Sequence, residues 1–141
     1  MSYKYYIGID TGVNTGFAVW DSEEKKFLLI ETTMIHRAMD WVKQYSERND
    51  TLVRFEDARL RKWFGNAGRE QLQGAGSIKR DAKVWEDFLK DILCPCEAVA
   101  PKNNKTKLNA DTFKKITGWE KQTSEHSRDA AMLVFNFTKR V

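Results

Sequence analysis

The stretch at residues 7–20, "IGIDTGVNTGFAVW", constrains the fold of this chain more than any other. An apolar run ends on Asp10, the chain turns through Gly12, and a second apolar run resumes at Gly16. That is the signature of two strands joined by a tight connection. Along the first strand, period-two alternation puts Gly8 on the face of Asp10, leaving space beside the acid where something can dock.

The meander continues. A first strand over Tyr3–Asp10 and a second over Gly16–Trp20 are followed, after the acidic hairpin "DSEEKK", by a third over Lys26–Thr33. Three strands with short connections predict an antiparallel arrangement. The period then changes, because Ile35, Ala38, Met39, Val42 and Tyr45 share one helical face that Asn49-Asp50 ends. Thr51–Glu56 predicts a fourth strand, again closing on a carboxylate. After the glycine-bearing loop "DARLRKWFGNAG" comes the longest helix, with Ile78, Ala82, Trp85, Leu89 and Ile92 inward until Pro95 stops it. Glu97–Ala100 is a short fifth strand. Asn109 caps a brief helix through Thr117 that Gly118 terminates, and Ser124 caps a last helix buried along Ala130, Leu133, Val134 and Phe137. The order βββ-α-β-α-β-α-α predicts one α/β domain over residues 1–141 with a five-stranded mixed sheet.

A strand-end aspartate like Asp10 serves three unrelated chemistries: the Asp-Thr-Gly of aspartic proteases, the phosphate loop of actin-like ATPases, and the metal ligand of nucleases. Length weighs against the second, since 141 residues fit one domain and an actin-like enzyme needs two facing a nucleotide. Patterning weighs against the first: Val13 stands where a small residue is needed, and helical periods dominate the later chain. A net charge of +4, from 24 bases and 20 acids, excludes little, and the distribution says more. Arg59, Arg61, Lys62 and Arg69 lie in a stretch without an acid, as do Lys102, Lys105 and Lys107. Cys94 and Cys96, separated only by Pro95, form neither a disulfide framework nor a zinc pattern, so reduced thiols are expected. No apolar run approaches the roughly 20 residues of a membrane span, and the N-terminus lacks a signal-peptide core, which predicts a soluble cytoplasmic protein with no membrane partner.

If the first and fourth strands run parallel and adjacent, Asp10 and Glu56 emerge at the same sheet edge, where open α/β sheets bind ligands. In "SEHSRDAAML", His126 and Asp129 are three apart on a helix and share a face that Leu133 directs toward the sheet. Three converging carboxylates repel one another unless a cation holds them. Hard oxygen ligands suit magnesium, and a histidine is tolerated best by manganese or serves as a proton carrier. Two such ions about 3.5 to 4 Å apart activate water against a phosphodiester. Each residue also has a plainer role open to it. Asp10 can start a turn, Glu56 can pair with Arg54 on its own strand face, Asp57 can be the ligand in place of Glu56, and His126 can be an ordinary helix-start residue.

With "IGIDTGVNTGFAVW", "LVRFE", "GAGSIKRDAKVWEDFL" and "HSRDAAML" in this order, the chain resembles the RuvC-like Holliday junction resolvases of the ribonuclease H-like superfamily. The resemblance implies a ribonuclease H-like fold and a catalytic centre at Asp10, Glu56, His126 and Asp129 that binds two magnesium ions. It implies a homodimer that nicks opposed strands of a four-way DNA junction, with a ribonuclease H-fold nuclease acting on RNA-DNA hybrids, flaps or other branched DNA as the alternative. The familiar bacterial members are longer, and their segment before the last helix differs, so this chain looks like a compact, phage-type relative. The family sets an aromatic close behind its glutamate to disturb base stacking, whereas Trp63 and Phe64 stand seven and eight residues beyond Glu56.

One basic stretch leaves the strand that carries Glu56 and the other leaves the fifth strand, so both are expected to rim the carboxylate end of the sheet and bind DNA: Arg59, Arg61, Lys62 and Arg69 on one loop, Lys102, Lys105 and Lys107 on the other. Lys105 and Lys107 are the candidates for the scissile or adjacent phosphate. Trp63 or Phe64 would stack on an unpaired base for roughly 1 to 3 kcal/mol. Lys114 and Lys115 are expected to face water, and Trp20, Trp41, Trp85 and Trp119 to pack in the interior.

Overall fold

β1 (Tyr5–Asp10), β2 (Asn14–Asp21) and β3 (Lys26–Met34) form the antiparallel meander that their alternation and short turns dictate. β4 (Thr51–Glu56) then adds to β1 in parallel, and β5 (Cys96–Val99) adds to β4 in parallel. The spatial order is β3-β2-β1-β4-β5. The connecting helices are α1 (Ile35–Arg48), α2 (Arg69–Asp91), α3 (Ala110–Thr117) and α4 (Glu125–Met132), with one 3₁₀ turn at Ala58–Leu60. The computed structural model describes residues 2–48, 50–60, 69–101 and 108–139, with the backbone alone at 69–75 and 78. Among the described residues, no helix is long and apolar enough to cross a membrane.

Alternation divides the sheet into two unlike faces. Ile7, Ile9, Phe17, Val19, Val53 and Phe55 pack against Ala38 and Val42 of α1 and Trp85 and Leu89 of α2. Tyr6, Ala18, Trp20 and Leu52 pack against Phe113 of α3 and Ala130 and Ala131 of α4. Full burial of each large apolar side chain stabilises by about 1.5–3 kcal/mol, so both layers contribute to holding the sheet between them. Trp20 and Trp85 are buried, and Trp41 and Trp119 pack against the two cores, as expected of them. Lys114 and Lys115 are exposed. Burial pushes the Cys94 thiol up to about 12, leaving it a small apolar packing group.

The caps of α3 are those expected. Asn109 accepts a hydrogen bond from the Thr112 amide at 2.8 Å, and Gly118 ends the helix in the left-handed region at φ 76. Ser124 opens α4 with a capping box shared with Ser127. The far end of α4 corrects the expectation that Phe137 lies on that helix. It closes at Met132, because the Leu133 carbonyl accepts from the Arg54 guanidinium and Asn136 turns the chain at φ 54. Phe137 returns to place its ring 3.8 Å from the Arg54 guanidinium carbon.

Candidate active site

The register of the sheet sets the site. Thr32 pairs with Gly16 and Gly16 with Asp10, and the β1–β4 pairing runs in register up to Ile9 and Phe55, so Asp10 and Glu56 end neighbouring parallel strands. Paired residues share a face, and this row faces α4. The Thr11 hydroxyl donates to the Glu56 carbonyl at 3.0 Å, which ties the β1 turn to the end of β4.

Glycine decides what sits over that row. A Cβ on Gly8 would lie 2.0 Å from the Ala130 carbonyl oxygen, and one on Gly16 would lie 2.0 Å from the His126 carbonyl oxygen and 3.0 Å from the Asp10 Cβ. The space read beside Asp10 therefore belongs to the α4 backbone. No other side chain lets a helix approach a sheet this closely. The Ser124 hydroxyl, hydrogen-bonded to Thr32 of β3, fixes the start of α4, while Arg128 ties it to the Leu108 carbonyl at 3.0 Å and the Thr123 carbonyl at 3.1 Å.

So placed, α4 brings His126 onto Asp10: Nδ1 stands 2.9 Å from Oδ2. Asp10 is largely buried, with a side chain 12% exposed, while His126 remains 52% exposed. An ionised carboxylate only accepts, so Nδ1 carries the proton, and Nε2 is left as the nitrogen that can exchange one with solvent. Asp129 follows one turn later on α4, next to the Ala130 that rests on Gly8. Among the described residues, no three His, Cys, Asp or Glu side chains stand close enough to hold a metal ion. The donor types suit a hard divalent cation, and the fold puts Asp10, Glu56 and α4 on one face.

The plainer roles separate cleanly. Arg54 does not pair with Glu56; its Nε donates to Glu97 at 2.7 Å, on the neighbouring strand. Asp57 is engaged elsewhere. It is buried one residue further on, where Arg59 binds it through Nε at 2.9 and 3.1 Å and Nη2 at 2.7 Å. Those hydrogen bonds hold the Asp57 carboxyl below the usual range, and Arg59 does the same for Glu86 on α2, 3.0 Å away. Arg59, expected at the DNA surface, thus has its guanidinium committed to two carboxylates. Arg69 opens α2. Arg61, Lys62, Trp63 and Phe64, and Lys102, Lys105 and Lys107, lie outside the described residues; in sequence they follow β4 and β5, whose C-terminal ends share the sheet edge of Asp10.

Gly16 and Thr11 are the residues that sequence reasoning missed. A pair of glycines spaced by strand register, Gly8 on β1 and Gly16 on β2, is the signal that would have found the docking of α4.

No protein-family model matches the chain, and no curated protein matches it in sequence. Solved structures do match. T. thermophilus RuvC in complex with Holliday junction substrate superposes with a TM-score of 0.60 at 17% identity, covering 94% of this chain and 90% of that chain. The likeness at this identity is one of architecture, and the chain has the α/β fold of RuvC, a five-stranded mixed sheet flanked by helices.

Proposed function

We propose that this chain is a metal-dependent endonuclease that resolves four-way DNA junctions and leaves 5′ phosphates. The observation that carries the proposal is the 2.9 Å contact of His126 with the buried Asp10, in a register row that Glu56 completes, on a fold shared with a protein solved with Holliday junction substrate.

Asp10, Glu56 and Asp129, with His126 as the nitrogen donor, would hold a pair of magnesium ions, or manganese where the imidazole binds directly, once their side chains close to coordinating distance from where they stand in this structure. Such ions, when bound, activate a water and stabilise the departing 3′ oxygen of a phosphodiester. The chain's own part is positioning and proton movement. Gly8 and Gly16 let the α4 backbone rest directly on the strands beside Asp10, which sets where the helix and its side chains stand. His126, oriented through Nδ1 by Asp10, presents Nε2 for proton transfer.

The lysines and arginines of the loops beyond β4 and β5, Arg61, Lys62, Arg69, Lys102, Lys105 and Lys107, bind backbone phosphates, and Trp63 or Phe64 stacks on a base at the branch. A junction cut at two symmetric points calls for two related sites, which a homodimer supplies. The chain is one domain over residues 1–141 in this reading. The test is incubation of purified protein with a labelled four-way junction, a flap and an RNA-DNA hybrid in magnesium. Paired symmetric nicks in the junction with ligatable 5′ phosphates are expected. Cleavage confined to the hybrid or the flap replaces the junction reading with the other nuclease activity.

A further inference from the structure

Outward from the row that holds Asp10, the same face of the sheet continues for one more step on β2 and β3. Asn14 and Met34 pair there, each two residues along its strand from Gly16 and Thr32, so alternation returns them to the face of Asp10. That step is about 7 Å of strand, comparable with the advance from one nucleotide to the next.

Its composition is unusual for a sheet corner. Met34 is 64% exposed and Val13, beside Asn14 in the β1–β2 turn, is 78% exposed, and neither belongs to either hydrophobic core. The turn that presents Val13 is braced from both sides. Thr11 donates to the Glu56 carbonyl at 3.0 Å, and the Thr15 hydroxyl donates to the Gly12 carbonyl at 2.8 Å. A side chain that merely frays into solvent does not need such bracing. In the chain Met34 leads straight into α1, whose first turn carries no acid, and the exposed Arg37 there makes no ion pair among the described residues.

A nucleic-acid strand crossing Asp10 must continue past it on both sides. The basic loops leave the sheet on the β4–β5 side; the Val13, Asn14 and Met34 corner lies on the opposite, β2–β3 side. Apolar groups followed by one cation match the sequence that a strand presents, a sugar and base face and then a phosphate.

We infer that Val13, Asn14 and Met34, with Arg37 of α1, form a subsite for the nucleotide flanking the scissile phosphate. Met34 and Val13 lie against its sugar and base, Asn14 hydrogen-bonds a base edge or phosphate oxygen, and Arg37 takes the next phosphate. The inference rests on the nuclease reading, and the experiment separates the two. Asp10→Asn protein carrying p-benzoylphenylalanine at position 34 is bound to the labelled four-way junction in calcium, irradiated, and the cross-linked nucleotide mapped against the cut made by the wild type. Cross-linking to a nucleotide next to the cut is expected. In magnesium, Val13→Ser with Met34→Ser should raise KM about three- to tenfold, with most of the loss in KM instead of kcat. Arg37→Ala should lower the slope of log affinity against log salt by about 0.9. Cross-links only at nucleotides remote from the cut, or an unchanged KM in a double variant that melts like wild type, overturn the subsite and leave Asp10 in place. An Asp10→Asn protein that still cuts overturns the placing of the reaction at Asp10, and a wild type that binds no branched DNA overturns the junction-nuclease reading; either result takes the subsite with it.

Discussion

Both faces of the sheet bury an aspartate at the same end, and the two are answered differently. Asp57, on the α2 side, is gripped by Arg59 through three side-chain hydrogen bonds and one from its backbone amide, and shares that arginine with Glu86. Asp10, on the α4 side, meets one imidazole nitrogen at 2.9 Å. A guanidinium is permanently charged and saturates its partner; an imidazole gains and loses a proton near neutrality. The α2 face thus ties its acid to a permanent charge, in a layer built from Ile, Val, Phe and Trp, while the α4 face sets its acid against an imidazole under a layer thinned to glycine and backbone.

The difference breaks most visibly in activity. Asp10→Asn should reduce cleavage on the order of a thousandfold, the several kcal/mol a bound cation supplies, while junction affinity in calcium persists. Asp57→Asn should leave cleavage of the junction measurable and lower stability by about 1–3 kcal/mol, less than for a fully buried pair because Arg59 is partly exposed. Single-turnover rates and urea midpoints on both variants decide it; equal losses of rate would abolish the distinction between the two acids.

Gly8→Ala and Gly16→Ala test the thin layer itself. Each new Cβ would fall 2.0 Å from a carbonyl of α4, so a stability loss of about 1–3 kcal/mol and a displaced His126 are expected. The displacement should appear as a changed His126 imidazole resonance. A smaller effect separates the faces by pH. Arg59 holds Asp57 and Glu86 below their unfolded values, so their contribution is complete above the ordinary carboxylate range and is lost as pH falls through the lowered folded values. Denaturant midpoints measured from pH 5 down to pH 3 should fall less steeply in Asp57→Asn than in wild type. The smallest expected change has the opposite sign. A Cβ on Gly76 of α2 meets nothing within 4 Å, so Gly76→Ala should stabilise by about 0.5–1 kcal/mol in the same titration.

Much of the fold was legible in the residues. The strands of the meander, Thr51–Glu56, the Asn109 and Gly118 caps and the Ser124 cap were each readable from periodicity and capping chemistry, which act within a few residues. The end of α4 was not, because Leu133 and Phe137 satisfy a helical pattern while Arg54, on another strand, takes the Leu133 carbonyl. Of the site, the two strand-end acids and the His-x-x-Asp spacing stood out in the sequence. The choice between Glu56 and Asp57 did not, since adjacent residues on a strand differ only in the face they take, and what waits there is tertiary. Gly8 drew notice as empty space, but its occupant, Ala130, comes from the far end of the chain.

By itself, the sequence determined the order of elements, their caps and the placement of an acid at the end of two strands, because those follow from local backbone and side-chain preferences. Only the tertiary structure decided that Asp10 meets His126, 116 residues away, and that the Arg59 holding Asp57 also reaches Glu86, 27 residues away. The physical reason is that the partner of a buried carboxylate is chosen by which layer packs on its face. Parallel pairing of β1 with β4 and two glycines under α4 made that choice here.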